Sequence, residues 1–168
     1  KAILEAAIES KKEGIKVVPW IEVPLIGNVK EYLVIKKIVL KVAEELGVKQ
    51  GEDYFIGTMI EVPRAALTSD EIAPECDFMS FGTNDLTQMT CGFSRDDSGK
   101  FLKPYVEEGI YPMDPFQSID QTGVGKIMEI CISQARKVNP KIEIGICGEH
   151  GGEPESVKFC HRIGLNDV

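Results

Sequence analysis

Four places in this sequence put reactive groups just where an apolar run stops. Glu22 lies near the end of IKVVPWIEVP, with Pro24 after it. Glu61 closes YFIGTMIEV and is followed by Arg64. Thr83, Asn84 and Asp85 follow the short run FMSFG, and Cys147, Glu149 and His150 follow IEIGIC. Glu61 and Asp85 are two hard oxygen donors. Mg²⁺ takes one or two carboxylates and completes its shell with water and substrate oxygens, which suits a phosphate or enolate ligand. The stretch Phe78–Thr90 reads as a strand passing into a helix, so Asn84 and Asp85 stand beside free backbone N–H groups and a local positive potential. Both acids also have plainer uses: Glu61 as a surface partner of Arg64, and Asp85 as a helix cap.

Cys147 sits between Gly145 and Gly148 in GICGEHGG, and small neighbours let a substrate approach the sulfur. A thiol at such a mouth can pass a proton to carbon, or act as a nucleophile if His150 serves as its base. The alternative is an inert core cysteine. Cys76, Cys91, Cys131 and Cys160 read as packing residues, and His150 and His161 as structural ones. CGEHGG lacks the Lys-Ser/Thr ending of a phosphate-binding P-loop.

These groups need a scaffold that gathers strand ends. The pattern predicts helices over 1–13, 30–46, 124–137 and 153–162, with short helical turns after Pro63, after a Thr68 cap and over 86–90. It predicts strands over 15–24, 54–62, 78–81 and 142–147, each apolar on both faces. On the helix over 30–46, Leu33, Ile35, Ile38, Val39, Val42 and Leu46 are expected to face inward. Residues 91–121 are expected to be an irregular insertion, a length that usually marks function or an interface. Doubly buried strands alternating with helices imply a parallel sheet. A doubly wound domain and part of an eight-stranded barrel both satisfy the order, and the lack of GxGxxG argues against the first. In either, ligands collect at the C-terminal ends of the strands.

The 168 residues suit one domain, 1–168. A net charge of −8 argues against nucleic acid, whose backbone calls for a basic surface. No apolar run approaches a membrane span, and the first residues resemble an amphipathic helix and not a signal peptide. Five cysteines, odd in number and widely spaced, point to a reducing, cytoplasmic setting. The chain opens without a helix cap and ends in LNDV, which reads as the entry to another strand, so a piece of something longer is expected.

The blocks GTMIEVPRAAL, FGTNDLTQMTCGFSRDDSGKF, DQTGVG and GICGEHGGEPESVKFCHRIGLN resemble the C-terminal phosphoenolpyruvate/pyruvate-binding domain of the pyruvate phosphate dikinase family. Phosphoenolpyruvate synthase and the first enzyme of the sugar phosphotransferase system share similar NDL and CG blocks but usually lack the GFSRDD and CGEHGG wording. The resemblance implies the second half of a (β/α)₈ TIM barrel, without the first strands and the last. It implies Mg²⁺ held by Glu61 and Asp85, and substrate contacts through Glu61, Gly82, Thr83, Asn84 and Asp85. It implies Cys147 as the acid that delivers a proton to C3 of enolpyruvate. Phosphoenolpyruvate or pyruvate would be the substrate, a phosphohistidine domain the phosphoryl carrier, and a homodimer the assembly. The family's substrate-binding arginines, its phosphohistidine and its ATP-binding domain have no counterpart in these residues. Glu22 stands where the family often carries an apolar residue. The alternatives are a domain of one of those two related enzymes, or a non-catalytic self-associating module, since half a barrel leaves two sheet edges open.

Overall fold

Runs bounded by Gly and Pro become strands, and runs with a period near 3.6 become helices. The computed structural model describes all 168 residues, Lys1–Val168. Helix α1 spans Ala2–Lys12 and buries Leu4 and Ala7. Strand β1 is Trp20–Val23 and helix α2 is Val29–Leu46. Strand β2, Phe55–Ile60, leads into the short helices α3, Pro63–Leu67, and α4, Ser69–Ile72, and a 3-10 turn over Ala73–Glu75. Strand β3, Phe78–Gly82, runs directly into α5, Thr83–Cys91. Two short helices follow, α6 over Arg95–Ser98 and α7 over Leu102–Glu107. Then come α8, Val124–Val138, β4, Glu143–Cys147, a 3-10 turn over Glu149–Gly152 and α9, Pro154–Arg162.

The four strands form one parallel sheet in the order β1-β2-β3-β4. Helices cover one face. Ile56, Ile60, Met79, Phe81, Ile144 and Ile146 point there and join Tyr32, Ile72, Met128 and Phe159 in the main core. The opposite face carries Trp20, Glu22, Met59, Ser80, Glu143 and Cys147, all at least partly exposed. The expected burial of both faces therefore fails on this side except at Phe78 and the glycines of the inner strands. Four parallel strands with helices on one face make an open segment of a (β/α) barrel, and the barrel's inner face is the one left uncovered.

Several local expectations change for physical reasons. Strand β1 does not begin at Ile15, because Pro19 lacks an N–H; its carbonyl instead accepts from Phe55 N at 3.0 Å. Helix α2 turns Tyr32 and Ala43 fully inward, with Val39, Val42 and Leu46 partly buried, whereas Leu33, Ile35 and Ile38 are exposed. Tyr32 sets that rotation, since its buried hydroxyl donates to Ile56 O at 3.1 Å. A capping box starts α2: Lys30 N donates to Asn28 Oδ1 and Asn28 N donates to Glu31 Oε2, at 2.9 and 2.8 Å. Thr68 does not cap α4; its hydroxyl donates back to Arg64 O at 3.0 Å. The insertion is less irregular than expected. Its short helices surround an aromatic knot in which Phe93 lies 5.0 Å from Phe101 and 6.0 Å from Tyr111, ring centre to ring centre.

Candidate functional site at the rim of the sheet

The parallel register carries each strand's last inward-facing residue to the same rim. Gly82 pairs with Cys147 across β3 and β4, and Ile60 pairs with Phe81, which places Glu61 beside Gly82. Glu61 is only 4% exposed. Its Oε1 accepts from Leu25 N at 2.7 Å. Leu25 holds φ 53, the only positive φ outside glycine, so the loop after β1 is bent to present that N–H. Burial pushes the Glu61 carboxyl above its usual value, and the like charges of Asp85 and Glu22 push it further, against the pull of the Leu25 N–H. Glu61 is not a surface partner of Arg64, whose guanidinium donates to Gly27 O.

Asp85 lies in the first turn of α5 and accepts from Gln88 Nε2 at 3.0 Å. Gln88 Oε1 accepts in turn from Arg95 N at 2.8 Å, and the Arg95 guanidinium pairs with Glu149. Arg95, near the start of the insertion, is thus tied through Gln88 to Asp85 and directly to Glu149 in the loop after Cys147. Asn84 Oδ1 is buried without a partner, an acceptor left over beside the two acids. No cluster of three or more His, Cys, Asp or Glu is arranged to hold a metal. Two crowded carboxylates and a spare amide oxygen nevertheless fit Mg²⁺, which draws most of its shell from water and ligand.

Cys147 is partly buried at the end of β4. Its sulfur lies 3.3 Å from Ser80 Oγ and 3.5 Å from Phe81 O. Ser80 has one hydrogen, which it can donate to Glu22 Oε1 or to the Cys147 sulfur, while the thiol donates toward Phe81 O. Burial pushes the thiol up from its ordinary value; Ser80 opposes this, while the charges of Glu22 and Glu61 add to it. A thiol raised above its ordinary value is protonated at neutral pH and has a proton it can give.

His150 is not the base for Cys147. It is fully buried, with Nδ1 2.7 Å from Thr83 Oγ1 and Nε2 3.1 Å from Pro115 O. A carbonyl can only accept, so Nε2 carries the hydrogen and Nδ1 accepts from Thr83. Burial lowers the His150 pKa, in keeping with a neutral ring. Thr83 has accordingly committed its hydroxyl hydrogen. Gly148 adopts φ 108 beside Asn84: a Cβ there would lie 3.8 Å from Asn84 Nδ2. Cys91 accepts from Tyr111 at 3.8 Å, and Cys76, Cys131 and Cys160 are buried, in line with packing roles.

Reading the residues one at a time left out Ser80, Leu25 and Gln88. Ser80 could have been found, because it lies two residues before Gly82 and so shares its face. Leu25 and Gln88 carry no such mark; their roles arise from a bent loop and from chain folding back.

The whole chain, residues 1–168, matches the family model described as PEP-utilising enzyme, PEP-binding domain. It is 57% identical over its full length to pyruvate, phosphate dikinase of Clostridium symbiosum, of which it covers 20%. It is 52% identical to pyruvate, phosphate dikinase 2 of Oryza sativa subsp. japonica and 49% identical to the chloroplastic enzyme of Flaveria pringlei, covering 19% and 18% of them. The chain thus spans about a fifth of the length of these relatives. With a match that runs from its first residue to its last, the chain belongs to the PEP-utilising enzymes, in their PEP-binding domain.

Proposed function

We propose that this chain supplies the phosphoenolpyruvate/pyruvate site of a pyruvate, phosphate dikinase. The observation that supports it best is the meeting of Glu61, Asp85 and Cys147 at one rim, where Glu61 feels Asp85 and Cys147 feels Glu61. Glu61 and Asp85 would hold Mg²⁺, with Gly82, Thr83 and Asn84 lining the substrate beside it. When bound, that ion supplies positive charge next to an oxygen on which negative charge develops. Gly82 leaves space for the Glu61 carboxylate to lie flat against β3. The N–H groups opening α5 would favour an anionic ligand beside them. Cys147 gives its proton to C3 of the enol carbon skeleton as phosphoenolpyruvate becomes pyruvate, and its thiolate takes a methyl proton in the reverse direction. The phosphoryl group would pass to a histidine on another domain of the full-length protein.

The setting we assign is a homodimeric, cytoplasmic enzyme. No helix is long and apolar enough to cross a membrane, and all five cysteines are free, as in a reducing compartment. The test is Mg²⁺-dependent exchange of pyruvate C3 protons with D₂O, measured in the full-length protein carrying this chain. Cys147→Ala is expected to abolish exchange; unchanged exchange would remove Cys147 from this role.

A further inference from the structure

The inner face of the sheet holds a hydrogen-bonded string that the chemistry above does not use in full. Glu22 on β1, Ser80 on β3 and Cys147 on β4 lie in line across it, linked carboxylate to hydroxyl to sulfur. All three line a cavity of about 220 Å³ below the rim. Strand β2, between β1 and β3, places Gly57 opposite Glu22 in the ladder. The space a side chain on Gly57 would take is filled by Phe78, and the Glu22 carboxylate crosses β2 beyond it to reach Ser80. Ser80 has one hydrogen, shared between the Glu22 carboxylate and the sulfur; when the carboxylate takes it, Ser80 Oγ is open to the thiol hydrogen, which otherwise lies toward Phe81 O.

We infer that Glu22 is a positioning and proton-relay residue for Cys147, acting through Ser80. The inference rests on Cys147 being the proton carrier. After the Cys147 thiolate has taken a proton from C3, the thiol must shed it before the next turnover. The S–H bond breaks as its proton moves to Ser80 Oγ, and the Ser80 O–H bond breaks as its proton moves to Glu22. Ser80 ends neutral, Cys147 a thiolate and Glu22 a carboxylic acid. Glu22 is partly exposed and returns the proton to water. No electron changes hands. The other charged groups facing the string are Glu61 from the end of β2, Asp85 beside it on α5, Glu143 on β4 and Asp167 at the chain end. All are acids, so no lysine or arginine competes for the Glu22 carboxylate within the cavity.

The test compares Glu22→Gln, Glu22→Asp, Ser80→Ala and Cys147→Ala in the full-length protein, with circular dichroism as the check of folding. Two quantities are read: C3 proton exchange of pyruvate against pH, and the pH dependence of Cys147 alkylation by iodoacetamide, located by peptide mass. Glu22→Gln removes a negative charge near the sulfur, so its thiol is expected to alkylate at lower pH than the parent. Its exchange is nonetheless expected to slow tenfold or more with KM for pyruvate unchanged. Glu22→Asp is expected to recover part of the rate, and Ser80→Ala to match Glu22→Gln in exchange. A purely structural glutamate would not make the thiol more acidic and the exchange slower together. Exchange within twofold of the parent in folded Glu22→Gln overturns the relay. Unchanged exchange in Cys147→Ala overturns the role of Cys147 itself, so the two failures are distinct.

Discussion

Glu61 lies across the face of Gly82. A Cβ on Gly82 would stand 2.9 Å from Glu61 Cβ and 2.7 Å from Met59 Sδ. Neither gap accommodates a methyl group, so Gly82→Ala must push the carboxylate off the rim. The cost of such overpacking is about 1–3 kcal/mol. The expected outcome is a folded protein with a lower melting temperature and no thermal shift on adding Mg²⁺. Calorimetry with and without the ion checks both, and a full Mg²⁺ response in the variant would contradict the placement of Glu61.

The crowding of Glu61 by Asp85 makes a second, less intuitive prediction. Burial and Asp85 both raise the Glu61 carboxyl. A raised folded value means stability that is whole below the unfolded value of 4.5 and diminishes as pH rises through the folded one. At neutral pH the charged Glu61 is therefore a burden on the metal-free fold. Glu61→Gln keeps an oxygen for Leu25 N and is expected to match or exceed the parent's melting temperature without Mg²⁺. With Mg²⁺ added, the parent is expected to gain stability by mass action and the variant is not. A variant less stable than the parent in the absence of metal would count against this account.

The five thiols should react in an order set by their surroundings. Cys76 and Cys131 are both buried and pushed up to about 12, and Cys160 to about 11. Cys147 and Cys91 are only partly buried. Iodoacetamide at mildly alkaline pH is expected to modify Cys147 and Cys91 first, with the other three protected until denaturant is added. Quantitative peptide mapping over time settles the order.

His150 supplies a pH dependence. Its pKa is lowered from 6.5 by burial, so the folded state binds its proton less readily than the unfolded chain. The stability it contributes is present above about 6.5 and is lost as pH falls toward the depressed value, with a slope of at most about 1.4 kcal/mol per pH unit. Urea unfolding at stepped pH should show this fall, and His150→Gln should flatten it. Glu153 acts lower on the scale. Hydrogen bonds from Ser156, the Glu155 N–H and Ser118 hold its carboxyl down at about 2. Its share persists above 4.5 and goes only as pH falls through about 2. Glu153→Ala should cost about 1 kcal/mol at neutral pH as a lost N-cap.

The alternation of elements was legible because Gly, Pro and apolar periodicity act locally. The rotation of α2 was not, since VKEYLVIKKIVLKVAEEL is apolar on more than one side and only the contact from Tyr32 to Ile56 O selects a face. The half-open sheet escaped notice for a related reason. Met59, Phe55 and Trp20 look like core residues in sequence, yet they occupy the face with no helix over it. At the site, Glu61, Asp85 and Cys147 could be read as strand-end groups in a parallel fold. The pairing of His150 with Thr83 instead of Cys147 could not, because it depends on how the turn over Glu149–Gly152 folds under the insertion.

Trp20 is the molecule's single tryptophan, and it stands on the open face, 48% exposed, with its ring 4.7 Å from Phe78 and 5.2 Å from Phe55. The fold therefore carries its own optical reporter. A segment or partner that covered that face would dehydrate the indole and shift its emission to the blue. Such covering can be followed by intrinsic fluorescence, without a label and independently of any catalytic assay.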